Sequence, residues 1–345
     1  MIERYEFVME DNSQGYAKVV CLGEILIDMF PSELGRKLAE VPAFIPKPGG
    51  APANVAVAVA KLGVSSAFIG KVGDDAFGHF LIQTLREQGV ITRGMRMDNY
   101  ARTTLAFIAK PDENTAEFIF YRNPGADLQL EIKELDTELL AHARAFHIGS
   151  LSLVDEPALS ATLEAIQHAY ENGALISFDV NYRPSLWASS DEALRRMRTV
   201  IPRANLLKVN ETELRLLSRR EIKDETNPLA ACQALLEEGP ELIVVTLGPK
   251  GSYFCTRNAH GFIPAFRVDT VDSVGCGDAF IAGLLVRLVQ SSNWRDRLTF
   301  ELLQEDFRYA NAVGAITAMT QGVIPALPTA AQVEAFLAKP PFSAA

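Results

Sequence analysis

The residues best equipped for chemistry lie in Val271-Asp272-Ser273-Val274-Gly275-Cys276-Gly277-Asp278, which runs straight into the apolar, helix-like stretch AFIAGLLVRLV. Glycines at 275 and 277 let backbone N–H groups converge where a helix begins. The unpaired donors and the dipole of such a terminus attract an anion. Asp278 falls in the first helical turn, where it is either an N-terminal cap or a general base beside an anion hole. A second glycine pair opens Gly49-Gly50-Ala51-Pro52-Ala53-Asn54. It lets a ligand approach the backbone, and Asn54 offers both a donor and an acceptor, although tight turns share the pattern. Asp28, in CLGEILID, comes after the first apolar run. Open α/β sheets bind ligands at that strand end, and solvated loop carboxylates also occur there.

Two further groups each come directly after a strand-like run: Asp179-Val180-Asn181-Tyr182-Arg183 and Asn210-Glu211-Thr212-Glu213. Arg183 is a forked, permanently charged phosphate donor. Asn210 and Glu213, three apart, share one helical face, or they form a capping box. Other chemistries are poorly served. Phe280 stands where the third glycine of a dinucleotide loop would be, and Gly70-Lys71 is followed by Val72, so neither GxGxxG nor a Walker loop is present. His142 and His147 are five apart and the other histidines are scattered, which suits no zinc site, and Ser150 lacks a GxSxG elbow.

These groups need a scaffold that brings strand ends together. Short apolar runs at Lys18–Gly23, Ser66–Gly70, Ala145–Ile148, Leu175–Val180, Leu206–Val209 and Leu242–Leu247 read as buried strands. Between them fall helix-like stretches at Ala53–Leu62, Ala76–Gln88, Ala158–Tyr170, Glu211–Leu217 and Pro228–Glu237. Alternation at this spacing predicts an α/β fold with a mostly parallel sheet covered on both faces. Two segments break the rhythm. Residues 31–48 carry four prolines, and TTLAFIAK and AEFIFY flank a polar PDENT turn, a hairpin with no helix between its strands. Segments 31–48 and 99–124 are therefore expected to form a small β-lid over a domain built from 18–30, 49–98 and 125–345. Residues 1–17 form an N-terminal extension. The lid's exposed edges and the apolar Phe107, Phe118 and Phe120 predict a homodimer formed through it.

The 345 residues carry 33 Lys and Arg against 43 Asp and Glu, a net charge of −10, which argues against nucleic acid or an acidic membrane as partner. Hydrophobic residues make up 48%, enough for a large core, yet no apolar run is long enough to span a bilayer. The first residues, MIERYEFVMEDNSQGYA, lack the apolar stretch of a secretory signal, and the four cysteines are widely spaced. A cytoplasmic, reducing location is expected.

Together these segments resemble the ribokinase/PfkB family of sugar kinases. GGAPANVAVAVAKLG with GKVGDDAFG resembles the family's first signature, and DSVGCGDAF its second, with Ser273 and Cys276 as conservative departures. GEILIDMFP, FYRNPGAD, FDVNYRPSLW, KVNETEL and ANAVGAITAMTQGVIPALPT most resemble the fructokinase branch. The resemblance implies a ribokinase-like three-layer α/β/α domain and ATP-dependent phosphorylation of D-fructose to fructose 6-phosphate. A kinase for another sugar, 2-keto-3-deoxygluconate or a nucleoside, and an inactive sugar sensor, are the alternatives.

The resemblance also implies roles. Asp278 would be the base, and the Gly275-Cys276-Gly277-Asp278 backbone the anion hole. Asp28, Gly49, Gly50 and Asn54 would hold sugar hydroxyls, with Arg122 and Asn123 near the sugar from the lid. Asn181 and Arg183 would contact the transferred phosphoryl group. Asn210 and Glu213 would influence Mg²⁺ held on ATP, while Thr246, Gly248, Gly251 and Asn311 fall on the nucleotide side. Many relatives bind K⁺ beside the anion hole. Here that implies Asp272 and Val274 facing the carbonyls of Thr317, Thr320 and Gly322, although Ala326 replaces a serine found in some members.

Overall fold

The computed structural model describes residues 16–109, 111, 117–222, 224 and 228–339. Most of the N-terminal extension and of the PDENT turn therefore lie outside the described residues. Ala17 is buried in the core and Tyr16 stacks on His142, so the extension ends at or before residue 15.

The chain opens on β1 (Val19–Leu22), crosses to β2 (Leu26–Pro31) and β3 (Phe44–Gly49), and enters helix α1 (Ala51–Lys61). Then come β4 (Ser66–Gly73), α2 (Ala76–Glu87), β5 (Met95–Asp98), and the strands β6 (Leu105–Ala109) and β7 (Glu117–Tyr121). A regular alternation comes next: α3 (Thr137–His142), β8 (Ala145–Gly149), α4 (Ala158–Glu171), β9 (Leu175–Asp179), α5 (Ser190–Val200), β10 (Leu206–Asn210), α6 (Glu211–Ser218) and α7 (Leu229–Leu236). The chain closes with β11 (Leu242–Thr246), β12 (Gly251–Cys255), β13 (His260–Pro264), α8 (Cys276–Gln290), α9 (Phe300–Ala318) and α10 (Ala330–Ala338).

Nine strands form one sheet in the order β13-β12-β11-β10-β9-β8-β1-β4-β5. Strands β5 to β11 of this order run parallel, and β12 and β13 extend the edge antiparallel. The apolar core divides into two layers, as a sheet buried on both faces requires. One layer takes in α1, α2, α8 and α9 with residues such as Val55, Leu81, Phe280 and Phe307. The other takes in α3 to α7 with residues such as Leu139, Ile166, Met197, Leu214 and Leu235. This is an α/β fold with the expected covered sheet.

A separate sheet of four strands, β3-β2-β6-β7, forms the lid. Residues 26–30 belong to it, whereas the sequence pattern places them in the large domain. The apolar run GEILIDMFP hides the break. The chain turns away from the main sheet at Gly23 and is captured by the lid, where the Ile27 amide donates to Thr104. The lid faces also differ from expectation. Phe118 and Phe120 point into a cavity between lid and main domain, so they are not outward residues. Alternation along β7 instead turns Ile119 and Tyr121 outward, 47% and 65% exposed, and Phe107 packs there against Phe44 and Tyr121.

Candidate active site

The strand ends of the main sheet and the inner face of the lid enclose a cavity of about 330 Å³. Asp28, Gly50, Asn54, Asn181, Arg183, Gly275, Gly277 and Asp278 all line it. Widely separated segments of sequence are thus brought to one place, each by the element next to it in the chain.

Helix α8 supplies the centre. Gly275 precedes it at φ +80, a left-handed conformation that favours glycine, and a side chain there would collide with Val323. The first-turn amides of Cys276, Gly277 and Asp278 begin a helix of 15 residues and carry its positive end. Asp278 is 9% exposed, and its Oδ2 accepts a hydrogen bond of 2.8 Å from Nδ2 of Asn54, in the first turn of α1. The Asn54 Oδ1 is buried with no partner among the described residues, leaving an acceptor for a ligand hydroxyl. Burial pushes the Asp278 carboxyl up to about 6, while the Asn54 hydrogen bond pulls it back.

Asp28 enters from β2. Gly49, opposite Leu26 on β3, does not line the cavity; a Cβ on it would fall 1.9 Å from Asp28 Oδ2, so its contribution is to leave the carboxylate its space. Burial, then the charge of Asp278, raises Asp28 to about 7. Two carboxyls that disfavour each other's ionisation therefore share one cavity. Arg183, after β9, draws both downward and sits 6.0 Å from the Phe118 ring centroid, joining the main domain to the lid. Asn181 holds φ +41, a left-handed backbone that is uncommon outside glycine and is found here at the cavity wall.

Lys208 is a site residue that no motif marks. It lies in β10, is buried, and its Nζ bonds Asp179 Oδ2 at 2.7 Å. A Cβ on Gly277 would fall 3.1 Å from that ammonium, so the charge adjoins the first turn of α8. Burial alone would lower the Lys208 pKa. The carboxylates of Asp179, Glu213 and Asp278 more than offset it, and the pKa is raised. The signal in the sequence is a lysine inside the apolar run LLKVN, one strand away from a strand-terminal aspartate.

The capping-box reading of Asn210 and Glu213 is realised. Asn210 Oδ1 accepts from the Glu213 amide, and the Glu213 carboxylate accepts from the amides of Asn210 and Tyr182. Burial and the Asp179 charge raise the Glu213 pKa. Among the described residues no cluster of three or more His, Cys, Asp or Glu could hold a metal ion. Asp179 Oδ1, buried and without a hydrogen-bond partner, is an acceptor suited to a metal-bound water.

Other expected residues sit elsewhere. Arg122 and Asn123 line a neighbouring cavity of about 450 Å³ that shares Phe120 with the first. Arg122 is committed to Asp127 and to the Leu151 carbonyl, because a buried guanidinium needs a carboxylate beside it. Thr246 ends β11, and Gly248 and Gly251 shape the turn into β12. The Asn311 amide donates to the Ile263 and Pro264 carbonyls and accepts from Ser252, so its side chain ties α9 to the sheet edge. The segments expected to hold a monovalent cation do meet. Asp272 is buried and its carboxylate accepts from the amides of Val274 and Gly322.

Known proteins resemble this chain over nearly its whole length. The model of the pfkB family carbohydrate kinases matches residues 16–330. The chain is 44% identical to fructokinase-2 of Zea mays over 321 residues, covering 93% of this chain and 94% of that one. The crystal structure of fructokinase with bound ATP from Xylella fastidiosa superposes with a TM-score of 0.84 at 35% identity, over 94% of this chain and 99% of that one. Fructokinase from Vibrio cholerae O395, in a form with fructose, ADP and calcium ion bound, gives 0.82 at 31% identity, over 93% and 99%.

Proposed function

The chain belongs to the pfkB family of carbohydrate kinases, and from that membership we propose how its own residues carry the reaction. It is a sugar phosphotransferase that phosphorylates fructose with ATP. The observation that carries the residue assignment is the placement of Asp278. It sits in the first turn of α8, within a sugar-sized cavity, held by Asn54 and beside a positive helix end.

Asp28, the Gly50 backbone and Asn54 Oδ1 hold sugar hydroxyls. The acceptor hydroxyl, that of C6, gives its proton to the Asp278 carboxylate as its oxygen bonds the γ-phosphorus. The bond from that phosphorus to the β–γ bridging oxygen breaks, leaving ADP and fructose 6-phosphate. A base that titrates near 6 is ionised at neutral pH and still basic enough to take the proton. Negative charge on the transferring group meets the α8 amides, Arg183 and Lys208. Such transfer depends on positioning and charge stabilisation, which a protein of net charge −10 supplies locally. The lid aromatics Phe118 and Phe120 exclude water from the cavity.

A divalent metal accompanies the nucleotide, and we assign it as Mg²⁺ carried on ATP oxygens and water, where it neutralises phosphate charge. The donor set fits that arrangement. Glu213 and Asn210 are spent on capping, so they and Asp179 would act through metal-bound water. Thr246, Gly248 and Gly251 border the nucleotide. K⁺ would lie between Asp272 with Val274 and the carbonyls of Thr317, Thr320 and Gly322, ordering the loop before α8. The outward apolar face of the lid, with Phe107, Ile119 and Tyr121, supports a homodimer. No disulfide links the four cysteines, which suits the reducing cytoplasm, and no helix among the described residues is long and apolar enough to cross a membrane.

The deciding experiment incubates the purified protein with ATP, Mg²⁺ and a panel of ketoses, aldoses and nucleosides, measuring ADP release. Fructose turnover well above every other sugar supports this reading. No turnover of any sugar would leave a sugar-binding sensor.

A further inference from the structure

The sugar cavity holds one more carboxylate than the reaction above uses. Glu24 comes just after β1, is 3% exposed, and lines the same cavity as Asp28 and Asn54. Its Oε1 accepts a 3.1 Å hydrogen bond from the Ala51 amide, which fixes the side chain at the start of α1. Its Oε2 is buried and has no hydrogen-bond partner among the described residues. A buried carboxylate oxygen with no donor is costly to the fold unless something that enters the cavity supplies one. The protein does not quench the charge directly. Arg122 faces Glu24 electrostatically and lowers its pKa, but burial dominates and holds the carboxyl near 7. The guanidinium engages Asp127 and Leu151 through Nε and Nη2, and its Nη1 is buried with no hydrogen-bond partner among the described residues.

A helix cap would need only Oε1. The second oxygen is left without a donor on a side chain that lines a site whose ligand carries several hydroxyl donors. We propose that Glu24 Oε2 accepts a hydrogen bond from a fructose hydroxyl other than the one that receives the phosphoryl group, and that this contact selects among sugars. The inference rests on reading the cavity as the sugar site. A sugar lacking that hydroxyl, or presenting it on the other face, leaves the carboxylate unpaired, and such a loss discriminates strongly between otherwise similar substrates.

The test compares kcat/KM of the wild type and two variants on fructose and on its 1-, 3- and 4-deoxy analogues. Glu24→Met removes both oxygens at similar volume; Glu24→Gln keeps the Ala51 contact and replaces the Oε2 acceptor with a donor. In the wild type one analogue is expected to be poorer than fructose by about tenfold or more. Glu24→Met loses a similar factor on fructose but none on that analogue, with KM for ATP within about twofold. If Glu24→Met does not fold, Glu24→Gln makes the same comparison and must show the same selective loss. Equal losses on fructose and all three analogues, or unchanged kcat/KM on fructose, overturn the proposal. Absence of wild-type turnover on fructose with turnover on another sugar would instead overturn the fructose reading itself.

Discussion

Asn54 and Asp278 are 224 positions apart in sequence and 2.8 Å apart in the structure, joined amide to carboxylate. One contact therefore links the start of α1, the proposed holder of sugar hydroxyls, to the start of α8, the proposed site of phosphate charge. It also orients the carboxylate, since Nδ2 holds Oδ2 on a residue that lines the cavity.

Asp278→Asn preserves shape and removes the proton acceptor. The expected outcome is a fall in kcat of about 10²–10⁴, with KM for fructose and for ATP changed by only a few-fold. Steady-state kinetics on both substrates check it. Near-native kcat would reduce Asp278 to a cap.

The pH profile is set by the three raised carboxyls of the cavity, Asp278, Asp28 and Glu24, the last also near 7. Asp278 titrates at about 6 and Asp28 at about 7 in the free protein, and the base must be ionised to act. kcat/KM for fructose is expected to climb as pH rises through that interval and then level. A profile already flat below pH of about 5 would place the working base elsewhere.

Asp28→Asn separates function from stability. The folded-state pKa, about 7, lies above the ordinary aspartate value of 3.8, so the fold favours the protonated form. The native state then binds more protons than the unfolded chain between these values, and the stability due to Asp28 falls as pH rises through them. The variant is expected to melt higher than wild type near pH 8 and equally near pH 4, measured by thermal unfolding without ligands. It should also raise KM for fructose more than KM for ATP.

Lys208→Met strands the Asp179 charge, one oxygen of which already has no hydrogen-bond partner. Breaking a buried pair from one side costs about 3–5 kcal/mol, and removing both members costs much less. Chemical denaturation should therefore show Lys208→Met strongly destabilised and Asp179→Asn/Lys208→Met largely restored. Activity should stay low in both, because the charge beside Gly277 is gone.

Replacing Na⁺ by K⁺ at fixed ionic strength should raise activity several-fold, and Asp272→Ala should abolish the difference. Indistinguishable rates in the two salts with Asp272 intact would rule out K⁺ activation.

Much of this site is legible in the sequence because the strands that carry it are short apolar runs ended by polar residues. Asp28, Asn54, Asn181, Arg183 and Asp278 each stand out by position, just past a strand-like run or within the first turns of a helix. Which of these residues meet is not legible, nor is which polar atoms remain after local bonding. Asn311, which the family resemblance puts on the nucleotide side, makes three hydrogen bonds at the sheet edge that no sequence pattern shows. Asp127, five residues on from Arg122, holds two of its nitrogens, and no sequence pattern shows that Nη1 alone is left without a partner among the described residues. Strands β12 and β13 carry Gly251 and Pro264 and pair antiparallel at an edge, so no βαβ spacing announces them. The short, charged β5, reading MRMD, is equally silent.

The alternation along β7 divides one strand between two masters. Phe118 and Phe120 line the cavity, while Ile119 and Tyr121 face outward. A drifting lineage could remake the outer pair without disturbing the pocket. A single inserted residue would exchange the two sets at once. The hairpin can therefore diverge freely by substitution and hardly at all by length within its strands.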